Sequence, residues 1–131
     1  MQYVFVLLVI SLSSFGQALP EAASHSFFDR ANDIRMSLFA GLVAADGITT
    51  QHILGVDHGA EMNPIVRPLV VRGARGQAAA SVLGSGLSLG TSYLFHRTGH
   101  HKLERLMLNT SIAVETECVT NNLVQIGKAG R

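Results

Sequence analysis

The stretch Ser37–Val56, SLFAGLVAADGITTQHILGV, decides the fold. It is an apolar run of the ~20 residues that cross a bilayer as a helix, and one carboxylate, Asp46, sits near its centre. An ionisable group in such a place is costly and usually faces a partner or a water-filled cavity. Asp46, Thr49 and Thr50 fall at spacings of three and four, so they share one helical face. The turn that follows is polar, with Asp57, His58, Glu61 and Asn63 before Pro64.

Two further runs have similar length. The spacing predicts helices over Ile34–Leu54, Gln77–Phe95 and Leu103–Ile126, each near the length of a membrane span. The charged share of the 131-residue chain is 15%, below the ~25% of soluble proteins. The expected fold is therefore all-α, a small integral membrane helical bundle of three spans. In the second run Ser81, Ser85, Gly86 and Gly90 make small-x-x-x-small pairs, which let membrane helices approach closely. Gly86 and Gly90 are the expected contact for a homo- or hetero-oligomer. Asn63-Pro64 predicts a helix start, because Asn caps and Pro at the first position loses no needed donor. Ile65–Arg72 is too short to span and reads as a half-helix at the interface.

Residues 1–23 read as a secretory signal peptide or a first span. Tyr3–Leu12 is almost wholly apolar, and Gly16-Gln17-Ala18 offers a small-x-small cleavage pattern, with Ala22-Ala23 a second choice. Residues 24–131 then form a single domain. A formal charge of +1 and no dense Lys/Arg block argue against nucleic acid as a partner. Cys118 is the only cysteine, which excludes an intrachain disulfide and fits a small buried apolar residue.

Asp46-x-x-Thr49-Thr50, followed by Gly59-x-Glu61-x-Asn63-Pro64, resembles a family of small uncharacterised bacterial multi-pass membrane proteins, a domain of unknown function. That family's pattern is an Asp-x-x-Thr span followed by a Gly-x-x-Glu-x-Asn-Pro turn. The likeness covers Met36 to Val70, and Gly59 stands two residues before Glu61 where the pattern has three. The resemblance implies a multi-pass location in the bacterial cytoplasmic (inner) membrane, with the lipid bilayer as partner. It implies no reaction.

The expected site is a polar intramembrane cluster of Asp46, Thr49, Thr50, Glu61, Asn63, Glu115, Glu117 and Asn122. Glu115, Cys118 and Asn122 lie on one helical stripe and Glu117 and Asn121 on another, and spacing alone leaves open which stripe faces inward. No cofactor is expected. If a divalent metal binds, the candidates are His52, His58 and Glu61, whose spacing matches no known metal motif. His96, His100 and His101, with Arg97 and Lys102, read as a solvated basic loop. Gly99 interrupts the His96–His100 pair, and only Glu104 is at hand to complete a ligand set. No Ser-centred elbow, His-Glu-x-x-His or paired-Cys motif occurs, so whether the chain is an enzyme is left open. The expected role is a structural or accessory membrane component. The alternatives are an ion- or proton-binding membrane enzyme or transporter using Asp46, Glu61 and a third-span Glu, and a secreted soluble helical protein.

Overall fold

A computed structural model describes residues 24–55, 60–61 and 63–130. Its helices are α1 (Arg30–Gly55), α2 (Arg67–Val70), α3 (Ala74–Arg97) and α4 (His101–Ala129). Each of the three long helices contains one of the predicted runs and extends it by a few residues at both ends. The short α2 follows Asn63-Pro64: Asn63 Oδ1 accepts from Ile65 N at 3.0 Å and Asn63 O from Arg67 N at 3.0 Å. The signal-or-span reading of residues 1–23 lies outside the described residues.

The membrane assignment is overturned. Among the described residues no helix is long and apolar enough to cross a membrane. Length is not the obstacle, since α1, α3 and α4 have 26, 24 and 29 residues. Apolarity is. Arg30, Asp33, Arg35 and Asp46 punctuate α1, four serines dilute α3, and α4 carries Glu104, Arg105, Glu115 and Glu117. A single Asp or Arg at a span centre already costs ~2.5–3.5 kcal/mol on insertion. The expected integral membrane bundle and its multi-pass inner-membrane location are therefore set aside.

Side-chain bonds fix how the long helices run. Asn32 meets Glu104, Arg35 meets Asn109 and Asn122 meets Asp46, so α1 and α4 are parallel. Ser88 pairs with Ser111 between the middles of α3 and α4, and Gln51 with Gln77 across α1 and α3, so α3 is antiparallel to both. The interior is mixed. Phe27, Phe39, Ile53, Val70, Ala80 and Leu108 are buried beside Asn32, Thr50, Gln77, Ser88, Ser92, His101 and Glu104. Apolar burial alone thus does not hold the helices together; interhelical hydrogen bonds satisfy much of the polar interior, while Ser92 Oγ has no partner among the described residues.

The glycines divide into two kinds. At Gly84, Gly86 and Gly90 nothing among the described residues lies within 4 Å of an added Cβ, so they serve no contact between the described helices. At Gly76, buried in the first turn of α3, a Cβ would stand 1.9 Å from the Leu69 carbonyl oxygen. Gly76→Ala is therefore expected to destabilise by about 1–3 kcal/mol, the usual cost of overpacking. Gly84→Ala should instead gain up to about 1 kcal/mol of helix propensity. Urea midpoints of the two variants check this, and equal midpoints would contradict the close α2–α3 approach.

Candidate metal centre

At the corner where α1 begins, α3 ends and α4 begins, four potential ligands converge. The chain before α1 supplies His25, the last turn of α3 supplies His96, and the first turn of α4 supplies His101 and Glu104. All four offer donor atoms within 4.8 Å of one another, a group that can hold a metal ion.

Local chemistry explains the convergence. Helix α3 stops at a glycine C-cap: Gly99 takes φ of 80°, His100 N donates to Phe95 O at 2.8 Å, and Gly99 N donates to His96 O at 3.0 Å. This pair of bonds around a left-handed residue is the Schellman arrangement, which ends a helix and reverses the chain sharply. It lets α4 begin at His101, only five residues after His96, yet on an antiparallel helix. His101 and Glu104 are three apart and so face the same way. On the other side Asp29 caps α1, its Oδ1 accepting from Asn32 N at 2.8 Å. The cap holds the preceding residues against the corner, where Phe27 is buried and its ring meets those of His96 and Tyr93 at 5.4 and 5.2 Å.

Glu104 is the hub. It is fully buried. Its Oε2 lies 2.9 Å from His96 Nδ1, 3.2 Å from His101 Nδ1 and 3.4 Å from His25 Nε2. Its Oε1 accepts from Asn32 Nδ2, which also donates to Phe27 O at 3.0 Å. Burial pushes the Glu104 carboxyl up. The hydrogen bonds from His96, His101 and Asn32 and the charge of His25 outweigh it, and the group lies below its ordinary range. Glu104 is thus an anion at neutral pH.

An outer layer orients the ligands. His25 Nδ1 stands 2.8 Å from Asp29 Oδ2, and Arg105 Nη2 reaches the same oxygen at 3.5 Å. The hydrogen bond from the Asn32 backbone lowers the Asp29 carboxyl, and despite some desolvation His25 and Arg105 lower it further. His25 Nδ1 hydrogen-bonds to Ser26 O at 2.7 Å, so Nδ1 carries a proton between two acceptors and Nε2 is the nitrogen left for the centre. That Nε2 is buried and has no hydrogen-bond partner among the described residues. It lies 3.4 Å from Glu104 Oε2 with no hydrogen bond between them, a spacing at which both atoms can ligate one cation.

The sequence-predicted residues lie at the other end of the bundle. Asn122 Nδ2 donates to Asp46 Oδ1, Thr49 Oγ1 and Thr50 Oγ1 at 3.0, 3.0 and 2.9 Å. Glu61 Oε1 accepts from Asn63 N at 2.7 Å, which spends it on the turn. Burial raises the Asp46 carboxyl and the Glu61 charge adds to this, against the hydrogen bonds from Thr50 and Asn122. Burial and Asp46 push Glu115 from its ordinary 4.5 to about 7. Burial and the surrounding acids push the Cys118 thiol up to about 12, so it is no nucleophile. The Glu115–Cys118–Asn122 stripe faces inward, whereas Glu117 and Asn121 are exposed. A cavity of about 40 Å³ lies beside this network, lined by Thr50, Glu61, Asn121 and Asn122, among others.

Glu115 carries a pH dependence. Its folded pKa is above its ordinary value, so the stability it contributes is full below 4.5 and is lost as pH rises through about 7. The group is partly exposed, which limits the effect to about 1 kcal/mol. Glu115→Gln should remove that loss and unfold later than the parent at pH 8 but not at pH 4. Parallel unfolding curves of parent and variant across this range would show that Glu115 is solvated.

Of the metal candidates expected from sequence, His52 is exposed, Glu61 is engaged by its own turn, and His58 lies outside the described residues. The solvated-loop reading of the His-rich segment is corrected. His96 and His101 belong to the ligand group, and His100 is the exposed member. Sequence reasoning missed His25, which carries no motif, and discounted Glu104. The signal was the His101-x-x-Glu104 pair opening a helix directly after a His-bearing helix end. No protein-family model, curated protein or solved structure matches this chain, so the reading of the centre rests on its geometry.

Proposed function

We propose that this protein binds one divalent transition-metal ion at His25, His96, His101 and Glu104, and that the ion ties the chain before α1 to the α3–α4 corner. The observation that carries this reading is His25 Nε2, buried with no hydrogen-bond partner among the described residues and 3.4 Å from Glu104 Oε2. Three imidazoles and one carboxylate suit first-row divalent metals, with imidazole favouring zinc, copper, iron and nickel over calcium or magnesium. The outer layer supports it too. A ligating His usually donates its second N–H to a carboxylate or a backbone carbonyl, and His25 Nδ1 bonds to Ser26 O at 2.7 Å beside Asp29 Oδ2 at 2.8 Å. The ligands come from three separate segments, so binding is coupled to their assembly.

The test is a metal titration of the purified chain after chelation, followed by metal analysis of the dialysed product. One tightly held ion per chain is expected, and none in the His25→Ala, His96→Ala double variant. A chain that retains no ion from zinc, cobalt, nickel or iron(II) would overturn the reading. It would leave His25 as a metal-free bridge between Asp29 and Glu104.

A further inference from the structure

We infer that the centre is closed and four-coordinate, a zinc-type structural site whose geometry is set by Asp29 and Asn32 acting as positioning residues. This inference rests on the metal-binding reading above. It concerns which ion the site selects and what that ion can do there.

The donor set is complete without water. The three nitrogens and Glu104 Oε2 supply four ligands, the number a tetrahedral structural zinc takes. Catalytic zinc sites keep only three protein ligands and an open position. Bond lengths of about 2.0–2.1 Å place tetrahedral donors roughly 3.3 Å apart, and Oε2 stands 2.9, 3.2 and 3.4 Å from the three nitrogens.

Asn32 decides the denticity of Glu104. Its Nδ2 occupies Oε1 and is itself held by the Phe27 carbonyl, so the carboxylate presents Oε2 alone. Asn32 is fully buried, and its position is fixed by the turn that opens α1. Asp29 helps orient His25: Nδ1 bonds to Ser26 O at 2.7 Å and lies 2.8 Å from Asp29 Oδ2, which leaves Nε2 for the ion. Burial of Glu104 and His101 restricts water on their side of the centre, while His25 and His96 are only partly buried. Ions that demand six ligands, such as magnesium or manganese(II), are disfavoured by three imidazoles and a monodentate carboxylate. The ion then has no vacant position at which to activate water, and its role is to hold the corner together.

Cobalt(II) replacing zinc reads the geometry directly, because four-coordinate cobalt gives intense visible bands and six-coordinate cobalt weak ones. The parent chain is expected to give the intense spectrum and to release cobalt to zinc. Asp29→Asn keeps a good helix cap, so the fold should survive, while metal affinity falls about 10–100-fold. Asn32→Leu frees Oε1, and the cobalt bands should weaken as the carboxylate becomes bidentate. Bound cobalt with a weak six-coordinate spectrum in the parent would overturn the closed site while leaving metal binding intact. An unchanged spectrum in Asn32→Leu would remove Asn32 from its positioning role. A chain that takes up no cobalt overturns this inference together with the reading beneath it.

Discussion

Glu104→Ala is expected to abolish tight metal binding and to be among the most destabilising single substitutions in the chain. The carboxylate lies at zero exposure between three imidazoles and Asn32. Removing it leaves those groups facing one another without an acceptor. Deleting one partner of a buried ionic set costs about 3–5 kcal/mol, a large share of the 5–15 kcal/mol that holds a domain of this size. Glu104→Gln separates the two consequences. The amide keeps the shape and one acceptor oxygen, so the metal-free fold should suffer less. The anionic ligand is lost, so affinity should fall by more than the roughly 10–100-fold of an outer-shell change. Urea unfolding in chelator reports the first effect, and zinc titration the second. An alanine variant with the parent's urea midpoint and zinc affinity would mean that the four residues do not act as one site.

Chelation of the parent should produce the second large effect. Because the ligands lie on three separate segments, the ion binds the folded chain and not the unfolded one. The folded state then gains about 2.7 kcal/mol at a free metal concentration of 100 Kd and about 4.1 kcal/mol at 1,000 Kd. At a few degrees per kcal/mol, this raises the melting temperature by roughly 10 °C and makes it depend on metal concentration. His96→Ala should melt at one temperature with and without zinc. Binding should also weaken in acid, because imidazole nitrogens must be deprotonated to ligate. Scanning calorimetry over a zinc series checks this, and a parent melting point that ignores both zinc and chelator would contradict the coupling of the ion to the fold.

Sequence by itself determined the helices. Apolar runs punctuated by Asn63-Pro64 and Gly99 place α1, α3 and α4 to within a few residues, because periodicity and breakers act locally. The stripe containing Asp46, Thr49 and Thr50 was legible for the same reason, and tertiary structure brings Asn122 onto it. The environment of the helices was not legible. A run such as Ser37–Val56 has the length of a span, and only the distribution of its polar residues against neighbouring helices shows that polar groups share the interior.

The metal centre was decided by tertiary structure alone. His25 and Glu104 are far apart in sequence, and no spacing rule joins a residue before one helix to the first turn of another. Their meeting depends on the parallel packing of α1 on α4, and the meeting of His96 with His101 depends on the reversal at Gly99. A helical pair of ligands is a property of one element and can be read from spacing. A ligand set shared among three elements is a property of how they pack, and packing is fixed by contacts that no single stretch of sequence contains.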